Sequence, residues 1–486
     1  MAKKNKGAES EGSSEAWAAE QLAQVKAADP RARARLQRVL AGQHRSPGAS
    51  IPEALGSWAQ TKAAYRLAQS GVFTDQDLLL SHREATRRRI QHRPCRGVLV
   101  IQDTTSLNFS GRPGTEGLGP IGSNADKTMG LFAHSQLCVD AANGAAVGLL
   151  GARIWARDAR VFGKAPAGVR NRQPLSQKES HRWLEGYELA NQLAQELGPE
   201  VVVTSVADRE GDLYEVFLRA QQAQAEGPAA QVLIRAQHNR ALSEGETRSH
   251  EQLRAQPVQT TLTVSIPGQR GRAPRAATLE VRFAQVQLAV PANQQKYQGH
   301  SEPLTLSLII ASESQAPAGE QPIEWLLWSS QAVLTTQDAL EHLRHYTLRW
   351  QIEVLHRILK TGCKAEKRQL ETAGRLKLFL AIDLMIAVYL LGLTHAARVN
   401  PEAPATDWFN PEELTALQVF VKKTAPTSIP SLHTALRWLG QLGGHLGRKG
   451  DGPPGPHVLW RGLIRLRDLS SAWLAFSSLL NPTTCG

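Results

Sequence analysis

Apolar and polar positions along the middle of this 486-residue chain alternate between short β-branched runs and longer segments with helical spacing. The short runs have the length and composition of buried strands and the longer ones those of amphipathic helices. Strands are predicted near 98–103, 131–140, 145–156, 201–207 and 231–236, with a hairpin turn at Ala142-Asn143-Gly144. Helices are predicted near 176–197 and 210–225, so that the order of elements is β-β-β-α-β-α-β.

The two ends of the chain have helical patterns. At the amino terminus, the spacing predicts a helix over Ser14 to Ala28, then an Asp29-Pro30 cap that begins a helix over 31–42. Beyond residue 371, helices are predicted over 375–393, 410–423 and 433–444. The apolar run from Leu378 to Leu393 contains Asp383 and is short for a bilayer, so it is interpreted as a buried helix.

A β-rich insertion is predicted between residues 237 and 330. Its strand candidates, separated by Gly, Pro and Gln-rich loops, are 260–266, 277–290, 304–312 and 323–330.

Charge adds a candidate partner to this picture. The formal net charge is +12, and residues 1–100 contain 17 Lys and Arg against 9 Asp and Glu. Such a basic block favours a polyanion partner, although basic surfaces also serve solubility. Arg31, Arg35 and Arg38 share one helix face, which suits phosphate contacts and major-groove readout. For the basic helix over 76–92, DNA contact and a solvated surface remain equal alternatives.

The four cysteines are Cys95, Cys138, Cys363 and Cys485. They lie far apart without a C-x2-C pair, which argues against a zinc ribbon or a disulfide framework. Their pattern is typical of the reduced thiols of a cytosolic protein.

One carboxylate lies among basic and phenolic groups near residue 350. Tyr346, Arg349, Glu353 and Lys360 are at offsets 0, 3, 7 and 14. On a continuous helix they would fall within roughly 60° of one another, along a stripe of roughly 21 Å. An acid among bases suits a metal ion beside a phosphate. The alternative is a solvated helix face with i,i+4 pairs.

Two further acids each follow an apolar run. Asp103 follows Val98 to Ile101, and Asp208 follows the run that ends at Val206. An acid at the exit of a buried strand lies at the sheet edge, where α/β sheets bind ligands. Either residue alone could be a turn former or a helix N-cap. Together with Glu353, they favour a metal site.

The segments IQDTTSL around Asp103, ADREGD around Asp208 and the Tyr-x2-Arg-x3-Glu-x6-Lys signature from Tyr346 to Lys360 resemble the DDE transposases of the insertion-sequence-four family. The resemblance is closest to those of the transposon five type, and it extends from about Trp17 to about Lys367. It implies an α/β fold: a ribonuclease-H-like catalytic core with a β-rich insertion, between a helical DNA-binding domain and a helical carboxyl-terminal domain.

The implied domains have the following expected boundaries. The transposon-end-binding domain spans 1–75, and the dimerisation helices span 371–486. The catalytic core spans 76–236 and resumes over 331–370 with the helix of Glu353, after the insertion over 237–330.

The resemblance also implies a chemistry. Asp103, Asp208 and Glu353 would hold two Mg²⁺ ions, with Mn²⁺ as a substitute, about 3.5–4 Å apart. A homodimer would nick double-stranded DNA at the transposon ends, form and open a hairpin, and join the 3′-hydroxyl ends to target DNA. We expect no membrane partner and a cytoplasmic, nucleoid-associated location.

Further DNA contacts are expected around these acids. Tyr346, Arg349 and Lys360 would hold phosphates. Trp325, 21 residues before Tyr346, has the spacing of the family's base-flipping tryptophan, and its alternative is a core residue. The residues after the fifth strand that could contact DNA or serve the structure are Arg235, His238 and Arg240.

Two other functions remain open. One is a non-catalytic DNA-binding regulator of transposition, which the presence of all three acids disfavours. The other is a ribonuclease-H-like nuclease without strand transfer, which needs neither the long insertion nor Trp325.

Overall fold

The computed structural model describes the chain over the ranges given at the end of this paragraph, with side chains for all of them except 8–13 and 477–480. The ranges are 8–93, 95–122, 126–160, 162–163, 173–243, 247–266, 274–291, 301–422, 428–448 and 451–480.

Five helices precede the sheet: α1 (Ala8–Gln21), α2 (Pro30–Arg45), α3 (Ile51–Leu55), α4 (Trp58–Ser70) and α5 (Asp75–Gln91). Helix α2 begins as predicted, because the Asp29 side chain accepts a hydrogen bond from the Arg31 amide at 2.9 Å and Pro30 occupies the first turn. The prediction for α1 was wrong at both ends. Leu22 and Val25, whose spacing suggested a longer helix, are buried in the turn that follows α1.

The central sheet is mixed, as the β-β-β-α-β-α-β order predicts. Its first six strands are β1 (Gly97–Asn108), β2 (Gly119–Pro120), β3 (Met129–Asp140), β4 (Ala146–Trp155), β5 (Val202–Ala207) and β6 (Gln231–Arg235). Strand β3 pairs antiparallel with β1 and β4, whereas β5 lies parallel to β1 and β6 lies parallel to β5. Helices α6 (His181–Leu197) and α7 (Tyr214–Glu226) connect the last of these strands.

The β-rich segment after β6 continues the same sheet. It contains a short helix, α8 (Ser249–Arg254), and strands β7 (Thr260–Ile266), β8 (Arg275–Leu288), β9 (Leu304–Glu313) and β10 (Glu324–Ser329). Strand β10 returns to pair antiparallel with β6, and β9, β8 and β7 follow outward, which makes one ten-stranded sheet. The inserted strands are therefore an extension of the central sheet.

Apolar side chains cover both faces of this sheet. Helices α6 and α7 pack on the face of Val100 and Ile234. The face of Ile101 and Val206 packs against helices α9 (Thr336–Thr347), α10 (Trp350–Arg357) and α11 (Ala373–Val399). Helix α11 is long and apolar enough to cross a membrane, but 83% of its most apolar window is buried inside the fold. This agrees with the interpretation of its sequence as a buried helix.

Three more helices complete the described carboxyl terminus: α12 (Pro411–Lys422), α13 (Leu432–Leu442) and α14 (Pro456–Leu480). The last of these was not predicted. Helices α13 and α14 approach closely, because a Cβ atom at Gly462 would lie 2.0 Å from the Leu439 carbonyl oxygen. A buried ion pair between Arg368 and Asp383 joins α11 to the amino-terminal helices, since Arg368 also donates to the Gln43 side chain at 2.7 Å.

Candidate active site

The parallel register of β1 and β5 places Asp103 and Asp208 at the same level of the sheet. Ile101 and Val206 form the last parallel pair, and each acid lies two residues further along its chain. Because side chains alternate along a strand, both acids project from the face of Ile101 and Val206, which α9 and α10 cover. The apolar run suggested that Asp103 ends its strand. The structure differs, because β1 continues to Asn108 and is paired with β3 over this length.

Glu353 reaches the same face from helix α10 and is linked to Asp103 through Arg349. The Arg349 guanidinium donates to the Glu353 carboxylate at 2.7 Å and lies 3.4 Å from the Asp103 carboxylate. The side chains of Asp103 and Glu353 are 19% and 33% exposed, so neither is fully buried. The structure thus brings all three predicted acids to one region, with the Arg349 guanidinium between Asp103 and Glu353.

The helix that holds Glu353 is interrupted, contrary to the continuous stripe predicted from its spacing. Leu348 and Arg349 form a tight turn, in which the Arg349 amide donates to the Tyr346 carbonyl three residues back. After α10, residues Ile358–Gly362 form a wide π turn. Both interruptions keep near-helical dihedral angles, which is why side-chain periodicity does not reveal them.

The charges around Asp103 are not balanced in this arrangement. Burial, together with the carboxylates of Asp208 and Glu353, raises the pKa of Asp103 to about 6, against the opposing effects of the Thr104 amide and Arg349. Asp208 caps the turn Arg209–Gly211, accepting from the Glu210 amide at 2.9 Å. Two acids on adjacent strands therefore lack a full counter-charge, which a bound cation would provide.

The donor chemistry fits a hard divalent cation, but the present geometry is incomplete. Carboxylate oxygens are the ligands that Mg²⁺ prefers. Within the part of the chain described, no three His, Cys, Asp or Glu side chains converge closely enough to hold an ion. Arg349 occupies the position between Asp103 and Glu353, so completing a site requires Glu353 to exchange this guanidinium for the cation.

Tyr346 and Lys360 occupy different environments beside the acids. Tyr346 is buried beneath Arg349, whose guanidinium carbon lies 5.9 Å from its ring centroid, and burial raises the pKa of its phenol. Lys360 lies half-buried in the π turn near His356, whose pKa falls to about 3 through burial and the charge of Lys360. Tyr346 is therefore less accessible to a phosphate than the stripe predicted.

Trp325 and Arg235 lie on the same sheet face as the acids. Arg235 pairs with Leu327 of β10. Trp325 lies two residues before Leu327 and therefore projects from the same side of that strand. The indole is half-buried and packs on the hydrophobic core. The Arg235 guanidinium donates to the Glu324 carbonyl at 3.0 Å.

His238 and Arg240 have different environments in the loop after β6. His238 is exposed, whereas Arg240 makes an ion pair with the fully buried side chain of Asp212 at 2.5 Å. Arg240 also donates to the Asp212 main-chain carbonyl at 2.7 Å. Arg240 thus has the structural role that its sequence left open.

The two basic amino-terminal helices, α2 and α5, differ in whether their arginines already form ion pairs. Among the described residues, none forms a salt bridge with Arg31, Arg35 or Arg38, and the last two line a groove against α4. The arginines of α5 are instead committed to ion pairs with Glu20, Glu84 and Glu196; they are Arg83, Arg87, Arg88 and Arg89. The structure favours a surface role for α5 and leaves the α2 face available.

Sequence reasoning missed two side chains near the acids. Arg182, on α6, donates to the Thr104 hydroxyl next to Asp103 and to the Glu210 carboxylate two residues after Asp208. Trp350 stands 59% exposed directly after Arg349. Neither has a signal in an isolated sequence, because Arg182 lies far along the chain from the acids and Trp350 fits the helical apolar pattern.

Family models match both ends of the chain. A model described as transposase DNA-binding matches residues 14–71, which contain α2 to α4 and the exposed arginines of α2. A model described as transposase Tn5 dimerisation domain matches residues 385–472, from the middle of α11 into α14. The two ranges lie inside the segments predicted to bind transposon ends and to dimerise.

Proposed function

The two matched domains support a Tn5-like transposase that binds DNA and dimerises, and on that premise we propose that this chain is a cut-and-paste DDE transposase of the insertion-sequence-four family. It binds transposon ends, cleaves them through a hairpin intermediate and joins the freed 3′-hydroxyls to target DNA. Its ribonuclease-H-like core acts in the cytoplasm at the nucleoid.

One observation carries the catalytic part of this proposal: Asp103 and Asp208 lie level on adjacent parallel strands, under the helix that brings Glu353 to them. A purely structural role does not explain two acids on one face with an elevated pKa for Asp103. These three carboxylates would hold the divalent ions. When bound, a pair of such ions activates the attacking oxygen and stabilises the leaving oxygen of a phosphodiester.

The neighbouring side chains position the DNA. Arg349 pairs with Glu353, and its guanidinium would be available to a phosphate if Glu353 bound a metal ion instead. Lys360 supplies a second cation from the π turn. Tyr346, buried beneath Arg349, holds that guanidinium in place.

DNA strands reach this site from the basic amino-terminal helices. Arg31, Arg35 and Arg38 contact the transposon end, and Arg235 and His238 line its approach to the acids. Trp325 lies on the face of the acids and receives the base displaced by hairpin formation. The carboxyl-terminal helices form the homodimer that pairs two ends.

Substitution of the third acid tests the catalytic proposal. Glu353→Gln keeps the size and one hydrogen-bonding oxygen of the side chain but removes its charge. With DNA carrying the inverted ends that flank the gene, we expect no cleavage in Mg²⁺ or Mn²⁺, and end binding within about twofold of the original chain. Glu341→Gln, on α9 and 53% exposed beside His345, is the matched control and should cleave normally.

The products separate the two alternative functions. Joined molecules in which the 3′-ends are linked to target DNA support transposition, whereas fragments alone indicate a nuclease. A chain that binds ends but leaves them intact with either ion is a regulator. Cleavage by Glu353→Gln at the original rate would remove Glu353 from the site.

A further inference from the structure

Arg182 links strand β1 beside Asp103 to the turn that follows β5 beside Asp208. It lies in the first turn of α6 with its side chain 11% exposed. Its Nε donates to the Thr104 hydroxyl at 2.9 Å, and its Nη2 donates to the Glu210 carboxylate at 2.5 Å. Thr104 follows Asp103 directly, and the Glu210 amide donates a hydrogen bond to the Asp208 carboxylate. One rigid guanidinium therefore spans the neighbours of both acids.

A buried series of hydrogen bonds holds the Thr104 hydroxyl, which accepts from Arg182, in position. The Gln102 amide nitrogen donates to the Ser205 hydroxyl at 2.7 Å, so its oxygen accepts from His134 Nε2 at 3.1 Å. His134 Nδ1 then accepts from the Thr104 hydroxyl at 2.9 Å, which leaves that oxygen free to accept from Arg182. His134 is fully buried, and burial holds the imidazole pKa well below its usual value. A single His134 tautomer, protonated at Nε2, is consistent with these three hydrogen bonds.

The Arg182 end is fixed as well. Its Nη1 donates to the Glu179 carbonyl at 2.9 Å, and its guanidinium carbon lies 5.6 Å from the centroid of the Trp183 ring. All three guanidinium nitrogens thus have partners, and the planar group cannot turn without breaking two of these hydrogen bonds. Arg182 consequently fixes the side chains next to Asp103 and Asp208 relative to each other.

We propose that Arg182 is a positioning residue that holds Asp103 and Asp208 at the separation required to share a divalent cation. This inference rests on the proposed function of the three acids and adds the residue that preorganises two of them. Side chains that orient ligands without touching the metal commonly change metal affinity 10- to 100-fold when substituted. Arg182 contacts neither carboxylate, so its replacement should weaken the site without removing a ligand.

Metal binding, rather than activity alone, tests this role. Mn²⁺ binding to the protein–end complex is measured from the decrease of the free-ion paramagnetic resonance signal. We expect Arg182→Gln to weaken Mn²⁺ binding about 10- to 100-fold and to shift the Mg²⁺ midpoint of cleavage upward by a similar factor. End binding without divalent ions should be unchanged. Arg182→Lys, which keeps the charge but not the two-point contact, should fall between these values.

Two further variants separate positioning from general stability. Arg219→Gln removes a comparable partly buried arginine that pairs with Glu188 and Glu226 far from the acids, and it should leave the Mn²⁺ affinity unchanged. Thr104→Val is isosteric and keeps the amide that donates to Asp103. It should weaken Mn²⁺ binding even if Arg182→Gln fails to fold.

The results distinguish this inference from the proposal beneath it. If the original chain binds Mn²⁺ and cleaves ends while Arg182→Gln and Thr104→Val bind the ion within twofold of it, Arg182 has no positioning role. An equal decrease of Mn²⁺ affinity in Arg219→Gln would also overturn the inference. If the original chain neither binds the ion nor cuts, the proposed function itself fails, and this inference fails with it.

Discussion

Replacing Asp103 with Asn should stabilise the metal-free protein while abolishing DNA cleavage. The substitution removes a carboxylate whose side chain is only 19% exposed and which faces the charge of Asp208. The pKa of Asp103 rises from 3.8 to about 6, a difference of about 2.2. At about 1.36 kcal/mol for each pKa unit, the ionised group costs the folded state about 3 kcal/mol. Proteins commonly accept such a cost at sites that bind charged ligands.

The pH dependence follows from the sign of this shift. Because the folded-state pKa is raised, the folded protein binds more protons than the unfolded chain between about pH 4 and pH 6, so its stability falls as pH rises through that window. Above pH 7 the ionised Asp103 lowers the free energy of unfolding by the full amount, and below pH 4 this destabilisation is absent. The stability advantage of Asp103→Asn should be about 3 kcal/mol at pH 7.5 and about half of that at pH 5.

Thermal unfolding with EDTA, followed by fluorescence at several pH values, measures this difference. We expect a higher Tm for Asp103→Asn at pH 7.5 and a smaller gain at pH 5. Asp338→Asn gives a control of opposite sign, because hydrogen bonds from the Leu334 and Thr335 amides lower the pKa of that capping carboxylate. A Tm for Asp103→Asn that equals or falls below the original at pH 7.5, or a gain independent of pH, would refute the reasoning.

Three further predictions concern regions outside the acids. Alanine at Arg31, Arg35 or Arg38 should weaken end binding and reduce its salt slope by about 1 for each phosphate that the variant no longer neutralises, measured by fluorescence anisotropy at several salt concentrations. Arg33→Ala is the control, since Arg33 donates to the Leu22 and Ala23 carbonyls, and an equal weakening there would contradict the assignment. Asp383→Asn should cost about 3–5 kcal/mol of unfolding free energy in denaturant titrations, because it leaves the buried Arg368 charge without its partner; a change below about 1 kcal/mol would show that the pair is unimportant. Gly462→Ala should separate α13 from α14, because the new Cβ would lie 2.0 Å from the Leu439 carbonyl oxygen, and should abolish dimers in sedimentation with DNA. Gly455→Ala, which meets no atom within 4 Å, should dimerise normally.

Much of the sheet was predictable, because its strands are short apolar runs between turn residues. The predicted strand at 260–266 matches β7, and those at 277–290, 304–312 and 323–330 lie within two residues of β8, β9 and β10 at each end. The hairpin at 142–144 falls between β3 and β4, with Gly144 at a φ of 74°. What local pattern could not show was that β10 pairs with β6, since strand pairing depends on contacts far apart in sequence.

The candidate site was predictable in its residues but not in its connections. Local patterns and the family resemblance singled out Asp103, Asp208 and Glu353 as candidates, because each follows or lies within a distinctive segment. Periodicity missed the turn at Leu348 and the π turn, whose side chains still follow a helical order. It could not find Arg182 either, because the contacts of α6 with β1 and with the turn after β5 exist only in the folded chain.

Arg349 links the geometry of the site to its proposed chemistry. In the structure it neutralises Glu353 and approaches Asp103, the position that a divalent cation would take. On the proposed function, cation binding and phosphate contact by Arg349 would be coupled, because a guanidinium released from Glu353 would be available to the DNA.

The central claim is that Asp103, Asp208 and Glu353 together bind divalent cations at a transposon end. An anomalous difference map at the manganese edge, from crystals of the protein with end DNA and Mn²⁺, tests it most directly. The account predicts density contacted by all three carboxylates, with Arg349 turned from Glu353 to a phosphate. Density elsewhere, or a Glu353 carboxylate still paired with Arg349 in the metal-loaded complex, would contradict it.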